Sequence, residues 1–271
     1  MIDASTVTEV DRIIRSAAAR EILPRFGHLA SGDIAEKAPG DLVTVADNAA
    51  EEVLTRELTS LLPGSVVVGE ESVAADPAVL RDLDGDKPVW IVDPIDGTRN
   101  YANNNARFST LVALAERGEL LASWTYVPVF DTMAHAVSGA GAFVDEQRVH
   151  VAESPVGLRF LDVATPHSSV WGPGRRAQYN ALSRSGVALT IFDVSGLEYI
   201  ELASGRRTAM VLTWEFPWDH AAGLLLHAEA GGITTTADGT PFTLAGGNAL
   251  PFVAAPDVDC ATALHDAIAG K

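Results

Sequence analysis

The sequence predicts an α+β / α/β protein in two parts. Short alternating apolar segments separated by turns fill residues 108–149, and a strand–helix–strand–helix rhythm replaces them from about Ser154. At 271 residues with 47% hydrophobic side chains, the chain can bury a large core as one compact unit or as two intimate ones. The change of rhythm near residues 150–156 divides it into 1–152, an α+β part with an antiparallel sheet, and 153–271, an α/β part. No flexible linker, internal repeat or low-complexity tract marks the junction.

Val7, Val10, Ile13, Ile14 and Ala17 recur at helical spacing with Asp11, Arg12 and Arg15 opposite, so the first helix is amphipathic and begins near Ser5 or Thr6. A second helix spans about Asp47 to Leu62, with Ala50, Val53, Leu54, Leu58 and Leu61 on one face, until Pro63 and Gly64 end it. Ser65–Ser72, SVVVGEES, is an apolar run ending in a glycine and two acids. Three strands follow the central motif described below: Phe108–Leu114, Leu120–Val127 and Thr132–Val137. In SGAGAFVDEQRVHV, Gly139 and Gly141 lie between strands with no helix opening after them, which excludes a phosphate loop. The second part reads LRFLDVAT as strand, RRAQYNALSRSG as helix, ALTIFDV as strand, GLEYIELASG as helix and RTAMVLTW as strand, before a helix from Pro217 to Gly231.

Chemistry is expected at Trp90–Tyr101, WIVDPIDGTRNY. Trp90, Ile91 and Val92 form a buried strand, and Pro94 keeps Asp93 extended at its carboxyl end. Gly97 and Thr98 come where a turn or helix opens, with backbone N–H groups free to meet an anion. Two carboxylates repel an anion unless a divalent cation lies between them, and oxygen ligands suit a hard ion such as Mg²⁺. An ordinary strand-to-turn junction also uses Asp, Pro and Gly. Two further acidic stretches favour the metal-assisted phosphate site: Glu70 and Glu71 in GEES, and Asp219 in WEFPWDHAAG. Asp219 could instead cap a helix, as could Asp47.

GEES at 69–72, DPIDGTRN at 93–100, WDHAAG at 218–223 and DLVTVAD at 41–47 resemble, in order, the inositol monophosphatase family. These are Mg²⁺-dependent, lithium-sensitive phosphomonoesterases related to fructose-1,6-bisphosphatase and the 3'-phosphonucleotide phosphatases. The resemblance implies a layered α/β/α/β/α sandwich, commonly a homodimer. It implies that Glu70, Asp93, the carbonyl of Ile95, Asp96 and Asp219 hold two or three Mg²⁺ ions, with most ligands in the first part and Asp219 in the second. Asp96, Gly97, Thr98 and Asp219 would border the phosphate, Gly97 and Thr98 through their amides. Thr98 and Asp47, with Glu70, would orient and deprotonate the attacking water. The implied activity is hydrolysis of a small phosphorylated metabolite, inositol-phosphate-like or histidinol-phosphate-like. The alternatives are fructose-1,6-bisphosphatase or 3'-phosphonucleotide phosphatase activity, or a non-catalytic relative that keeps the fold.

Two positions depart from the family pattern. Its glutamate seven residues before the aspartate of the WD motif falls on Leu212, and its glycine–serine pair falls on Asp193 and Val194. The substrate pocket is therefore expected to include Leu212 and Asp193, to welcome an amine and to bind inositol 1-phosphate poorly; the alternative is that Leu212 packs and Glu215 serves after a small register shift.

The remaining features bound the partners. A net charge of −17 argues against nucleic acid and anionic membrane surfaces. The single cysteine, Cys260, cannot form an internal disulfide and fits a reducing compartment. No signal-like head or 18-residue apolar run occurs, so a cytoplasmic protein is expected. The seven histidines show no paired ligand spacing, His220 included. Lys37 could steer phosphate but reads first as a solvated loop charge. Trp214, Phe216 and Trp218 could wall a pocket, though aromatics at such a turn are more often core. Ser168 and Ser169 match only loosely a substrate-side serine.

Overall fold

The computed structural model describes residues 2–155 and 157–271. Met1 and Val156 lie outside them, the latter within the expected junction. The first helix, α1 (Ala4–Ala17), begins one residue earlier than its spacing predicts, because Asp3 caps it and accepts a hydrogen bond from the Thr6 amide at 2.8 Å. A hairpin, β1 (Ile34–Ala38) and β2 (Asp41–Thr44), leads into α2 (Val45–Leu61), capped by Thr44.

Among the described residues, β3 (Val66–Gly69), β4 (Pro88–Asp96), β5 (Ser109–Glu116), β6 (Glu119–Val127), β7 (Thr132–Val137), β8 (Gly141–Val144) and β9 (Gln147–Val149) form a seven-stranded sheet in chain order. Only the β3–β4 pair is parallel. Two short helices interrupt it, α3 (Glu70–Ala75) after β3 and α4 (Thr98–Ala102) after β4. A second sheet has the order β11 (Ala188–Phe192), β10 (Asp162–Pro166), β12 (Ala209–Leu212), β14 (Phe252–Ala255), β13 (Ile233–Thr235).

Side-chain alternation sets the layers. Trp90, Val92, Val112 and Leu114 point towards α1 and α2, whereas Ile91, Leu111 and Ala113 point the other way, onto Ala221 and Ala222 of α7 (Pro217–Glu229). Both faces of β4 are thus covered, which is why WIV is a continuous apolar run. The α7 helix and α6 (Ser195–Ala203) also meet the second sheet, through Tyr199, Leu202 and Leu224 against Ala164, Met210 and Phe252. On that sheet's far face Leu182 of α5 (Arg176–Arg184) and Leu264 of α8 (Val258–Ala269) close the core. The result is the expected α/β/α/β/α sandwich. No helix among the described residues is long and apolar enough to cross a membrane.

Candidate active site

The bend that opens the site is a consequence of Pro94. With no N–H to give to the ladder, it breaks the β4–β5 register: Asp93 pairs with Leu111 and Asp96 with Ser109, so three steps on β4 match two on β5. One extra residue reverses the alternation, and Asp93 and Asp96 face the same side. Asp93 Oδ1 accepts from the Ile95 amide at 3.0 Å, and the Pro94 carbonyl accepts from Thr110 Oγ1 at 2.8 Å, fixing the bulge. Gly97 then turns the chain with φ +91°, and a Cβ there would meet Val194 Cγ2 at 2.9 Å. The first intrahelical bond of α4 runs from the Asn100 amide to the Gly97 carbonyl. The Gly97 and Thr98 amides precede it, as their place in the sequence predicts.

Asp219 joins these two acids from α7. It lies in the first turn; the cap position belongs to Phe216, with Pro217 behind it, so the helix-cap reading of Asp219 does not hold. Trp214 Nε1 donates to its Oδ2 at 2.5 Å. His220, fully buried, donates from Nε2 to the Trp214 carbonyl at 3.1 Å, and burial lowers its pKa to about 3. It supports the tryptophan that holds Asp219.

Carboxylate oxygens of Asp93, Asp96 and Asp219 lie within 4.8 Å of one another. Burial, followed by the charges of neighbouring carboxylates, holds Asp93 and Asp219 well above the ordinary carboxylate range. Burial raises Asp96 as well, but only to about 6, because hydrogen bonds from the Gly196 amide, Ser109 Oγ and the Ser195 amide favour its ionised form. Those bonds measure 2.7, 2.9 and 3.2 Å respectively. A set of crowded, buried, oxygen-only donors fits a hard divalent cation, whose charge would let all three ionise together.

Four of the other expected residues, Glu70, Ile95, Gly97 and Thr98, line the same cleft, about 380 Å³ in volume, together with the three aspartates. A larger concavity of about 640 Å³, around Phe130 and Arg207, lies apart from these acids. Thr98 Oγ1 is 2.9 Å from the Ile95 carbonyl and 3.2 Å from Asp47 Oδ1. Asp47 Oδ2 accepts from the Thr44 amide at 2.8 Å and its hydroxyl at 2.6 Å. Asp47 therefore serves as the capping-box acid of α2 and as the partner of Thr98. Burial raises its pKa to about 6.

Lys37 is more than a loop charge. Its Nζ lies 2.6 Å from Glu70 Oε1 and 3.1 Å from Glu71 Oε1. Burial alone would lower the ammonium, but the Glu70 and Glu71 carboxylates hold it above its ordinary value. Burial and the Glu70 charge raise Glu71 to about 7. Arg99 ties this hairpin to α4 by donating to the Gly40 carbonyl at 2.7 Å. Glu51, one helical turn after Asp47, accepts from the Glu71 and Ser72 amides, both at 2.8 Å, and so anchors the start of α3 beside Glu70. A Cβ on Gly69 would lie 2.4 Å from the Glu51 carboxylate, which explains the glycine of GEES.

Sequence reasoning missed Glu51, Ser109 and the Ser195–Gly196 amides. The four-residue spacing of Asp47 and Glu51 could have shown the first; the others become neighbours of Asp96 only through packing.

Two expectations require correction. Leu212 is 0% exposed and packs inside the second sheet, so it does not border the cleft. Asp193 is exposed, accepts from Asn100 Nδ2 at 2.9 Å and is not among the residues that line the cleft. Glu215 does not line the cleft either; its Oε2 accepts from the Asn248 amide and Nδ2 at 2.8 and 2.9 Å.

Known proteins resemble this chain over most of its length. The sequence profile of the inositol monophosphatase family matches residues 3–269. The chain is 31% identical over 244 residues to "Inositol-1-monophosphatase" of Bacillus subtilis (strain 168), covering 87% of this chain and 88% of that protein. It is 28% identical to "Fructose-1,6-bisphosphatase/inositol-1-monophosphatase" of Aquifex aeolicus (strain VF5), covering 86% of each. The crystal structure of extragenic suppressor protein suhB from Bartonella henselae superposes with a TM-score of 0.80 at 27% identity, covering 97% of this chain and 98% of the other.

Proposed function

Because the chain belongs to the inositol monophosphatase family, and is thus a phosphoric monoester hydrolase, we propose that its acidic cleft is the active site of a Mg²⁺-dependent phosphomonoesterase for a small phosphorylated metabolite. The observation that carries the reading is the convergence of Asp93, Asp96 and Asp219 within 4.8 Å beside Thr98 and the opening of α4. These aspartates, with Glu70 and the Ile95 carbonyl, would hold the ions. Bound Mg²⁺ would neutralise charge on the phosphate and make the attacking water easier to deprotonate.

The chain's own groups do the rest. The Gly97 and Thr98 amides bind phosphate oxygens, and the Thr98 hydroxyl orients the water. It passes a proton towards Asp47, whose pKa near 6 suits a weak base working near neutral pH. Glu70 flanks the water and shares its orientation. The substrate has fewer hydroxyls than inositol 1-phosphate, since Leu212 offers no hydrogen bond and Glu215 does not line the cleft.

We further propose a cytoplasmic homodimer, from the single cysteine and the family resemblance, with residues 1–152 and 153–271 as its two parts. The functional test is phosphate release from glycerol 2-phosphate by chelator-stripped protein before and after Mg²⁺ is restored. Release that appears only with Mg²⁺ supports the reading, and equal release without it overturns the metal requirement.

A further inference from the structure

We propose, on the basis of the phosphatase reading above, that Phe216 is a specificity-determining residue that presents a stacking face to a planar aromatic or heteroaromatic group on the substrate alcohol. Phe216 is 53% exposed, lines the cleft and stands three residues before Asp219. Its ring lies parallel to that of Trp218, with centroids 5.1 Å apart and planes at 3°. Pro217 between them fixes the turn, so the pair is organised before any ligand arrives. Trp218 braces one side of the phenyl ring, and the exposure leaves room on the other.

The cleft wall is apolar in part: Val73 and Ala74 of α3 line it with Phe216 and Trp218, while Lys37 and Asp41 also border it. Glu215 and Asp193 do not line this cleft; Glu215 Oε2 accepts from Asn248 and Asp193 Oδ2 from Asn100. Hydroxyls buried against the Phe216 ring would lose water without gaining a partner from it, whereas a planar ring would gain both burial and an aromatic contact.

The experiment compares 2-phenylethyl phosphate with 2-cyclohexylethyl phosphate at saturating Mg²⁺, since the pair share chain length and leaving-group type and differ in planarity. Inositol 1-phosphate and glycerol 2-phosphate complete the panel. The wild-type kcat/KM favours the phenyl ester by roughly three- to tenfold, the worth of one aromatic pair. Phe216→Leu, which keeps an apolar side chain but removes the ring, brings that ratio near one. Equal wild-type rates for the two esters, an unchanged ratio in Phe216→Leu, or inositol 1-phosphate as the best substrate overturns the proposal. Hydrolysis of none of the panel, glycerol 2-phosphate included, would instead contradict the phosphatase reading. Stacking is then read without turnover, by calorimetric binding of 2-phenylethyl phosphonate to wild type and Phe216→Leu, and equal affinities reject it.

Discussion

Thr98 has one hydroxyl proton and two acceptors, the Ile95 carbonyl at 2.9 Å and Asp47 Oδ1 at 3.2 Å. If it bonds the carbonyl, its lone pairs are left to meet a water; if it bonds Asp47, it completes a proton path. In the proposed mechanism either role acts on the nucleophile, so Thr98→Ala is expected to lower kcat by about 10²-fold or more while KM changes little, and Thr98→Ser to restore much of the loss. Steady-state kinetics on the two variants checks this; a change confined to KM contradicts it. Residues of this kind were legible through motifs rather than spacing alone: Asp93, Asp96 and Thr98 lie in DPIDGTRN and Asp219 in WDHAAG, which resemble a family, whereas spacing left a plain turn or a helix cap open. Lys37 was not, since nothing in EKAPGD tells that a hairpin will fold its ammonium onto Glu70, 33 residues away.

At the level of elements, α3 is too short to orient Glu70 by itself, being six residues long. Its first turn depends on the Glu51 carboxylate from α2. Glu51→Gln keeps the shape but replaces one of the two accepting oxygens by an NH2 that can only donate, and is expected to cost about 1–2 kcal/mol of stability. It should also weaken Mg²⁺ binding severalfold through a displaced Glu70. Thermal unfolding and calorimetric Mg²⁺ titration measure the two effects; unchanged metal affinity would assign Glu51 a structural role only. Element types were readable from periodicity, and the strand from Thr132 to Val137 matches its expected bounds. The ends were less so: α2 starts at Val45 rather than Asp47, because Thr44 takes the cap and leaves Asp47 inside the first turn. Leu212 shows the same limit, since a strand residue's face depends on register, which alignment by motif does not supply.

Across the whole molecule, buried titratable groups outside the cleft couple folding to pH. His227 of α7 is fully buried, its Nε2 reaches the carbonyls of Ile233 and Ala255, and burial lowers its pKa to about 4. A Cβ on Gly232 would come within 2.1 Å of its ring, so that glycine is what admits the imidazole. The folded state prefers neutral His227, and the unfolded chain takes up its proton first. Its contribution is therefore whole above about pH 6.5 and is lost as pH falls towards 4. Between pH 7 and pH 5 the wild type should lose about 2 kcal/mol more than His227→Gln, measured by denaturant unfolding of both proteins. Parallel losses would contradict that linkage.

The crowded acids of the cleft act on the scale of the molecule too, because they draw on β4, α3 and α7 at once and repel one another until cations arrive. The most direct test is Mg²⁺ titration of phosphate release by wild type, Asp96→Asn and Asp219→Asn, each confirmed as folded by circular dichroism. The wild type should show saturable, Mg²⁺-dependent release, with the variants losing about 10³-fold or more at any Mg²⁺ concentration, since an amide cannot balance the cation's charge. Wild-type rates in either folded variant would contradict the assignment of the site.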